Sequence, residues 1–320
     1  TGTRRCEDRV MTRPWLTVAL PVHNGEATLA ATLESAASER PDGVEFILLD
    51  SSAGDGCRLI AERFSSRMNI AYRHVPKILP WTAKTNEAVR MAQGGYVAML
   101  HQDDLWLSGH LRAVADAITA YPDAVMQLAS SRFIDVAGRP VGDWNCGLAE
   151  GLIDGSLATR HLIVQNGIAI PSPVIRRTAW DRVGGLDSAL WYTADWDLYL
   201  KLALLGDIAV RREKTTAFRI HGRSLTMTGR MEKGAFKEQM ETVLSRYSYL
   251  VGASELARAR ASIAVNVSLA AASTGRFAAL SGAVIALSKL GPGQAFRYAK
   301  EARLVERIWP RLRLKLARGL

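Results

Sequence analysis

Residues 96–104 read Tyr96-Val97-Ala98-Met99-Leu100-His101-Gln102-Asp103-Asp104, an apolar strand that leads directly into two adjacent carboxylates. In open α/β sheets, ligands bind outside the carboxyl ends of the strands. Two neighbouring carboxylates that are buried together need a cation or hydrogen-bond donors beside them. The alternative is an N-cap for a helix that begins near Ser108, but Ser108 is itself a good cap. We therefore expect Asp103 and Asp104 to serve a ligand or a metal.

The chain around this stretch alternates between strand and helix patterns. Strands are predicted at residues 16–22, 45–50, 69–75 and 95–102, with amphipathic helices between them, the third over 82–93. Continuous apolar strands separated by such helices are typical of a parallel sheet covered on both faces. The GxGxxG fingerprint is missing after the first strand, which argues against a dehydrogenase.

Polar side chains lie at the predicted carboxyl ends of several strands. Asn24, Asp50 and the acid pair each end or follow a strand, so they are expected to line one crevice. Asp50 suits a hydrogen bond from a nucleobase or a ribose, and it equally suits the backbone donors of a turn. Lys84 and Asn86 suit a diphosphate, and a solvated helix face explains them as well.

Composition predicts an ordinary soluble chain. The 320 residues are 48% hydrophobic, and the three cysteines show no metal-binding spacing, which fits a reducing compartment. No apolar run approaches the roughly 20 residues of a bilayer span, and the N-terminus lacks a signal-peptide core. These features predict a cytoplasmic protein.

The positive charge is concentrated in the last part of the chain. The net charge is +10, and residues 231–320 hold 15 Lys and Arg but six Asp and Glu. This region is rich in Ala and Leu and carries no nucleic-acid-binding motif, so no nucleic-acid partner is expected. Residues 303–320 interleave Leu, Ile and Trp309 with Arg and Lys around Pro310. Such a segment suits an anionic membrane surface at the inner face of the plasma membrane, or a solvated helix end.

Four segments in this order resemble the family 2 glycosyltransferases: residues 18–25, 94–104, 166–187 and 193–202. The resemblance runs from about residue 16 to residue 226. It implies an α/β fold of the GT-A type, with a mostly parallel nucleotide-binding sheet flanked by helices and a C-terminal helical appendage. The corresponding domains are an N-terminal extension (1–15), a GT-A glycosyltransferase domain (16–230) and a basic C-terminal helical region (231–320).

The resemblance also implies a donor site. Asp104 would contact a divalent ion, Mg²⁺ or Mn²⁺, with Asp103 near that ion or the ribose. His101 stands where a first aspartate is frequent, which leaves the acid pair as ligands together with His221. The residues implied or suggested for the nucleotide are Pro21, Val22, Asn24, Asp50, Lys84, Asn86 and Asp103.

On the acceptor side, Asp195 matches the base that removes the proton of the acceptor hydroxyl, and Trp196 and Asp197 lie beside it. The predicted activity is metal-dependent, inverting transfer of a sugar from a nucleotide donor, with a UDP-sugar preferred, to a hydroxyl of a glycan or lipid-linked acceptor. Two alternatives stay open. One is a noncatalytic protein that binds a sugar nucleotide or glycan. The other is a sugar nucleotidyltransferase, although its Gly-rich loop is not evident after Leu20.

Overall fold

The computed structural model describes residues 13–220, 234–273 and 280–317. In these ranges, one ten-stranded sheet is flanked by helices. The strands are β1 (Leu16–Val22), β2 (Val44–Asp50), β3 (Asn69–His74), β4 (Tyr96–Met99), β5 (Leu105–Trp106), β6 (Met126–Ile134), β7 (Pro140–Trp144), β8 (Gly151–Ile153), β9 (Val174–Arg176) and β10 (Ile208–Arg219). The helices are α1 (Leu29–Ser38), α2 (Gly56–Glu62), α3 (Trp81–Met91), α4 (His110–Ala120), α5 (Gly155–Val164), α6 (Arg177–Val183), α7 (Ala194–Leu205), α8 (Ala235–Tyr247), α9 (Ala253–Ser273), α10 (Leu280–Lys289), α11 (Gly291–Glu301) and α12 (Leu304–Ala317).

The predicted α/β architecture is confirmed, and its first four strands pair in parallel in the order β3-β2-β1-β4. Every residue of β1 and β2 is buried, as expected for central strands covered on both faces. Strand β4 is shorter than predicted. After Leu100 bonds to the carbonyl of Ala19, a turn closed by Asp104 N–H and His101 C=O (3.1 Å) ends the strand.

The second half of the sheet is mixed. Strands β9, β6, β10 and β5 continue the order beyond β4, with β6 and β10 parallel and the other neighbours antiparallel. Strands β7 and β8 pair antiparallel with β6 and β10. Parallel pairing therefore dominates the half of the sheet that precedes the acid pair, and antiparallel pairs complete the rest.

Residues from 234 onward form helices without a strand in the part that the structure describes. Met240 and Val243 of α8 and Ile263 of α9 belong to the same buried apolar cluster as Leu198 of α7. Helix α12 lies against β7 and the loop after it, where the amide of Asn145 donates to Glu306 across 3.0 Å. Helices α8 and α9 thus share the core of the sheet, and the predicted boundary at residue 230 stays a prediction.

None of the helices within the described ranges is both long enough and apolar enough to cross a membrane.

Candidate active site

The loops after β1 and β4 are tied to each other at one edge of the sheet. The side-chain oxygen of Gln102 accepts the backbone N–H of His23 at 2.8 Å, and its amide nitrogen donates to the carbonyl of His23 at 3.0 Å. Because β1, β2 and β4 are parallel, their carboxyl ends meet here. The polar residues predicted at these ends therefore lie at one edge, where an α/β sheet binds its ligands.

His101, Asp103 and Asp104 form an acid–imidazole cluster at this edge. One ligand atom from each residue lies within 4.8 Å of the others. Asp104 is 1% exposed, and its Oδ1 accepts the backbone N–H of Arg219 at 3.1 Å. Burial and the neighbouring charge of Asp103 raise the pKa of Asp104 well above its usual value. A cation is therefore needed for both carboxylates to ionise together.

The cluster fits a divalent cation. Among the described residues, neither Oδ2 of Asp104 nor Nε2 of His101 has a hydrogen-bond partner, although both atoms are buried. Carboxylate oxygens suit Mg²⁺ and Mn²⁺, and an imidazole nitrogen shifts the preference toward Mn²⁺. The sequence pointed to the acid pair and did not include His101, which the turn after β4 brings to the same point. The predicted ligand His221 lies outside the described residues.

Arg219, at the end of β10, holds the backbone around the cluster. Its Nε donates to the carbonyl of Asp103 at 2.8 Å, and its Nη1 donates to the carbonyls of Asp135 and Val136 at 3.0 and 3.1 Å. The side chain is 4% exposed. Arg219 therefore joins the loops after β4 and β6 to the end of β10 beside the acid pair.

Asp50 is buried at the end of β2, and both of its carboxylate oxygens are occupied. Oδ1 accepts the backbone N–H of Ser52 at 2.8 Å and also its hydroxyl, while Oδ2 accepts the hydroxyl of Tyr72 at 2.8 Å. Ser52 in turn accepts the backbone N–H of Asn24 at 2.7 Å. Asp50 thus fixes the turn behind the predicted nucleotide loop, and direct contact with a nucleobase stays a prediction.

Lys84 on α3 is buried beneath the ends of β1 and β2. Its Nζ donates to the carbonyl of Val22 at 2.6 Å and to the hydroxyl of Ser51 at 2.8 Å. Burial lowers the pKa of Lys84 to about 8. The lysine therefore supports the end of β1, which contains Pro21 and Val22. The side-chain amide of Asn86, two residues later, donates to the carbonyl of Leu186 and accepts the backbone N–H of the same residue. Diphosphate contacts by Lys84 and Asn86 stay predictions.

Asp195 lies in the first turn of α7, where the helix dipole favours a negative charge. Its Oδ2 accepts the amide of Asn166 at 3.0 Å. Burial nevertheless raises the pKa of Asp195 to about 6. Burial and the charge of Asp195 raise the pKa of Tyr199 well above its usual value, so the tyrosine stays neutral. A carboxylate poised near neutral pH is suited to general-base chemistry.

The two predicted acceptor residues beside Asp195 face inward. Trp196 is 3% exposed, and its indole N–H donates to the carbonyl of Leu162 at 2.7 Å. Oδ1 of Asp197 accepts from Arg246 at 3.0 Å and from the hydroxyl of Tyr247 at 2.8 Å. Both side chains anchor α7 in the structure. An acceptor contact would need this packing to open, and it stays a prediction.

A tryptophan connects the acid–imidazole cluster to the turn before α7. The ring of Trp81 meets the ring of His101 edge-on with centroids 5.1 Å apart, and its indole N–H donates to the carbonyl of Trp191 at 2.9 Å. Trp191 is 38% exposed, four residues before Asp195. Contacts through Trp81 and Trp191 thus link the acid–imidazole cluster to the turn before Asp195, the candidate base.

Known proteins resemble this chain in sequence and in fold. An uncharacterized protein of Mycobacterium tuberculosis is 26% identical over 209 residues, which cover 60% of this chain and 63% of that protein. The chain thus spans less than two thirds of that relative. The S. aureus protein TarS (residues 1–349), solved with UDP-GlcNAc, has a TM-score of 0.56 at 15% identity and covers 94% of this chain and 92% of its own. The mannosyltransferase PcManGT of Pyrobaculum calidifontis, solved with GDP-Man and Mn²⁺, has a TM-score of 0.54 at 18% identity. The match covers 94% of this chain and 88% of PcManGT.

One family profile matches the N-terminal half of the chain. Residues 17–167 match the sequence profile of Glycosyl transferase family 2, and this range contains β1 to β4 and the acid–imidazole cluster. The fold of the whole described chain matches that of the two solved structures. Residues 17–167 therefore match glycosyl transferase family 2, and the chain has the GT-A fold.

Proposed function

We propose that this protein is a metal-dependent, inverting glycosyltransferase that moves a sugar from a nucleotide-sugar donor to a hydroxyl group of a glycan or lipid-linked acceptor. The observation that carries the proposal is the acid–imidazole cluster of His101, Asp103 and Asp104 at the carboxyl end of β4. A buried carboxylate oxygen and a buried imidazole nitrogen, both without a hydrogen-bond partner among the described residues, favour a cation there.

Mn²⁺ or Mg²⁺ held by these residues would stabilise the negative charge that builds on the nucleoside diphosphate as it leaves. Arg219 keeps the cluster in place by holding the carbonyl of Asp103. Pro21 and Val22 end β1, where Lys84 supports them from below, and the loop into which they lead is the proposed surface for the nucleotide.

Asp195 is the proposed base. Its carboxylate takes the proton of the acceptor hydroxyl while that oxygen forms a bond to the anomeric carbon. The bond from this carbon to the diphosphate oxygen breaks on the opposite side, so the configuration inverts in one displacement. Asn166 donates to Oδ2 of Asp195 and so orients the carboxylate that receives the proton.

A UDP-sugar is the proposed donor, with a GDP-sugar as the main competitor. TarS was solved with UDP-GlcNAc, and PcManGT was solved with GDP-Man and Mn²⁺. Both have the fold of this chain, and their ligands are nucleotide sugars. These relationships support a nucleotide-sugar donor. Calorimetric titration of UDP, GDP, CDP and dTDP identifies its nucleobase.

A lipid-linked or membrane-proximal acceptor fits the C-terminal region, and we place the enzyme in the cytoplasm at the inner face of the plasma membrane. Val305 and Trp309, one helical turn apart on α12, are 77% and 55% exposed. Arg313 follows on the same helix and is also exposed. Exposed apolar and basic side chains on one helix favour an anionic lipid surface.

The proposal is tested with Mn²⁺ and a panel of UDP-, GDP-, CDP- and dTDP-sugars, with product analysis by NMR. We expect one donor to release its nucleoside diphosphate and give a single, inverted anomer. Asp195→Asn should lower kcat by about 10²- to 10⁴-fold. Asp181→Asn, on a half-exposed surface ion pair, is the matched control. Release of pyrophosphate would identify a nucleotidyltransferase, and nucleotide binding without turnover would identify a noncatalytic protein.

A further inference from the structure

We propose that Arg307 of α12 is a positioning residue for Asp195, acting through Gln165 and Asn166. The inference rests on the proposed role of Asp195 as the base. It assigns a part in catalysis to a helix that is distant in sequence from the glycosyltransferase profile.

The hydrogen bonds that connect Arg307 to Asp195 form a relay. Its first member after Arg307 is Gln165, which follows the last residue of α5. Its side-chain oxygen accepts three hydrogen bonds, from Nη1 of Arg307 at 2.8 Å, from the hydroxyl of Ser262 at 2.7 Å and from the amide of Asn266 at 3.1 Å. Gln165 is 6% exposed. Three donors on the oxygen fix the orientation of the amide, because a flipped NH₂ group would face all three.

The fixed amide of Gln165 holds the next residue. Its nitrogen donates to the backbone carbonyl of Asn166 at 2.8 Å. The side-chain oxygen of Asn166 accepts the backbone N–H of Ile168 at 3.1 Å, so the amide nitrogen of Asn166 points to Oδ2 of Asp195. Each amide in this series has one orientation that satisfies its partners.

Arg307 locks the relay to two helices at once. Besides Gln165, its guanidinium donates to the side-chain oxygen of Asn266 on α9. A planar guanidinium holds two acceptors in a fixed geometry, which a lysine cannot reproduce. The C-terminal helices α9 and α12 therefore determine how Asn166 is presented to Asp195.

The test uses the full-length protein and the donor identified by the panel above. In Arg307→Met we expect kcat to fall about tenfold, the order expected when a hydrogen bond to a charged group is weakened, with the donor KM within about twofold. Because the Asn166 bond favours the ionised carboxylate, the acid limb of the kcat–pH profile should move up by about half a pH unit or more. Lys300→Met, at an exposed position of the neighbouring helix α11, is the control and should leave the profile unchanged.

Two further variants separate geometry from charge and from folding. Arg307→Lys keeps the positive charge but loses the two-pronged guanidinium. If the acid limb of the kcat–pH profile shifts in this variant as well, the relay is supported. If it shifts only in Arg307→Met, a long-range effect of the charge explains the shift and the relay is overturned. Gln165→Glu keeps an acceptor for Arg307 and gains an ion pair, but it removes the N–H that holds Asn166. We expect this variant to stay folded, as measured by circular dichroism, and to lose kcat.

The relay and the proposed function fail in different ways. If Asp195→Asn abolishes turnover while Arg307→Met, Arg307→Lys and Gln165→Glu retain the wild-type kcat and acid limb, the relay is wrong and the base assignment stands. If Asp195→Asn retains the wild-type kcat, both are wrong.

Discussion

The backbone N–H of Arg219 donates to Oδ1 of Asp104 across 3.1 Å, which joins the last residue of β10 to the acid pair that follows β4. The two residues are 115 positions apart in the chain. The candidate metal site therefore exists only when both halves of the sheet are assembled, so its affinity for a cation should report on the tertiary fold.

Arg219→Lys tests this dependence. A lysine cannot reproduce the contacts of the guanidinium with the carbonyls of Asp103, Asp135 and Val136, so buried carbonyls lose their donor. We expect the free energy of unfolding to fall by about 2–3 kcal/mol and the affinity for Mn²⁺ to fall several-fold. Urea denaturation and Mn²⁺ titration measure the two effects. Arg139→Lys, at a side chain that is 79% exposed, should change neither, and an unaffected Arg219→Lys would contradict the proposed support.

The pH dependence of turnover follows from Asp195. The base must be ionised to accept a proton, and its pKa is raised to about 6 by burial. We therefore expect kcat to be constant above this pH and to fall about tenfold per unit below it. The profile is measured at saturating donor and acceptor. A rate that does not respond to pH between 5 and 7 (roughly one unit either side of this pKa) would be incompatible with Asp195 as the base.

Asp197→Asn should be costly for stability. The carboxylate is 2% exposed and carries Arg246, Tyr247 and Lys201, the last at 3.1 Å from Oδ2. Removing its charge weakens these contacts at a buried position, which costs about 1–3 kcal/mol. Thermal unfolding checks this. The control Asp181→Asn, in an ion pair with a half-exposed carboxylate, should cost less than about 0.5 kcal/mol. Equal effects would refute a structural role for Asp197.

The buried His110 should make the stability of the folded protein sensitive to acid. Burial lowers its pKa to about 3 in the folded state, below the ordinary value of 6.5. The unfolded chain therefore binds the proton first as the pH falls, and stability is lost between about pH 6.5 and pH 3, by up to about 5 kcal/mol. His110→Phe keeps an aromatic ring beside Trp106 but removes the nitrogen that pairs with the hydroxyl of Thr215.

Unfolding of the wild type and of His110→Phe should be compared in urea from pH 7 to pH 4. We expect the variant to be less stable by about 1 kcal/mol at pH 7 and to lose less stability on acidification. Parallel pH curves for the two proteins would show that His110 does not cause the acid sensitivity.

The first four strands and the acid pair could be predicted because their signals are local. Apolar runs such as the one ending at Leu100 carry their own periodicity, and a carboxylate after a strand marks the ligand edge. The mixed half of the sheet gives no such signal, since β5, β8 and β9 are two or three residues long. Their pairing depends on partners far along the chain.

The site residues that sequence reasoning missed are those whose role comes from tertiary contacts. Gln165 and Arg307 are 142 positions apart, and nothing in the local pattern of either residue indicates the other. Trp196 is predicted to lie on the acceptor side because it neighbours Asp195, and that role stays a prediction. Helix α7 is buried on nearly all sides, so periodicity could not tell which of its side chains face the crevice.

The most direct test of the central claim is calorimetric titration of UDP, GDP, CDP and dTDP with and without Mn²⁺, on the wild type and on Asp104→Asn. We expect one nucleotide to bind only with Mn²⁺ and Asp104→Asn to weaken that binding by about 100-fold, the order found when one metal-site group is lost. Asp143→Asn, at an exposed ion pair, should bind as the wild type does. If no nucleotide binds, or if the bound nucleotide is indifferent to both Mn²⁺ and Asp104→Asn, the proposed donor site is wrong.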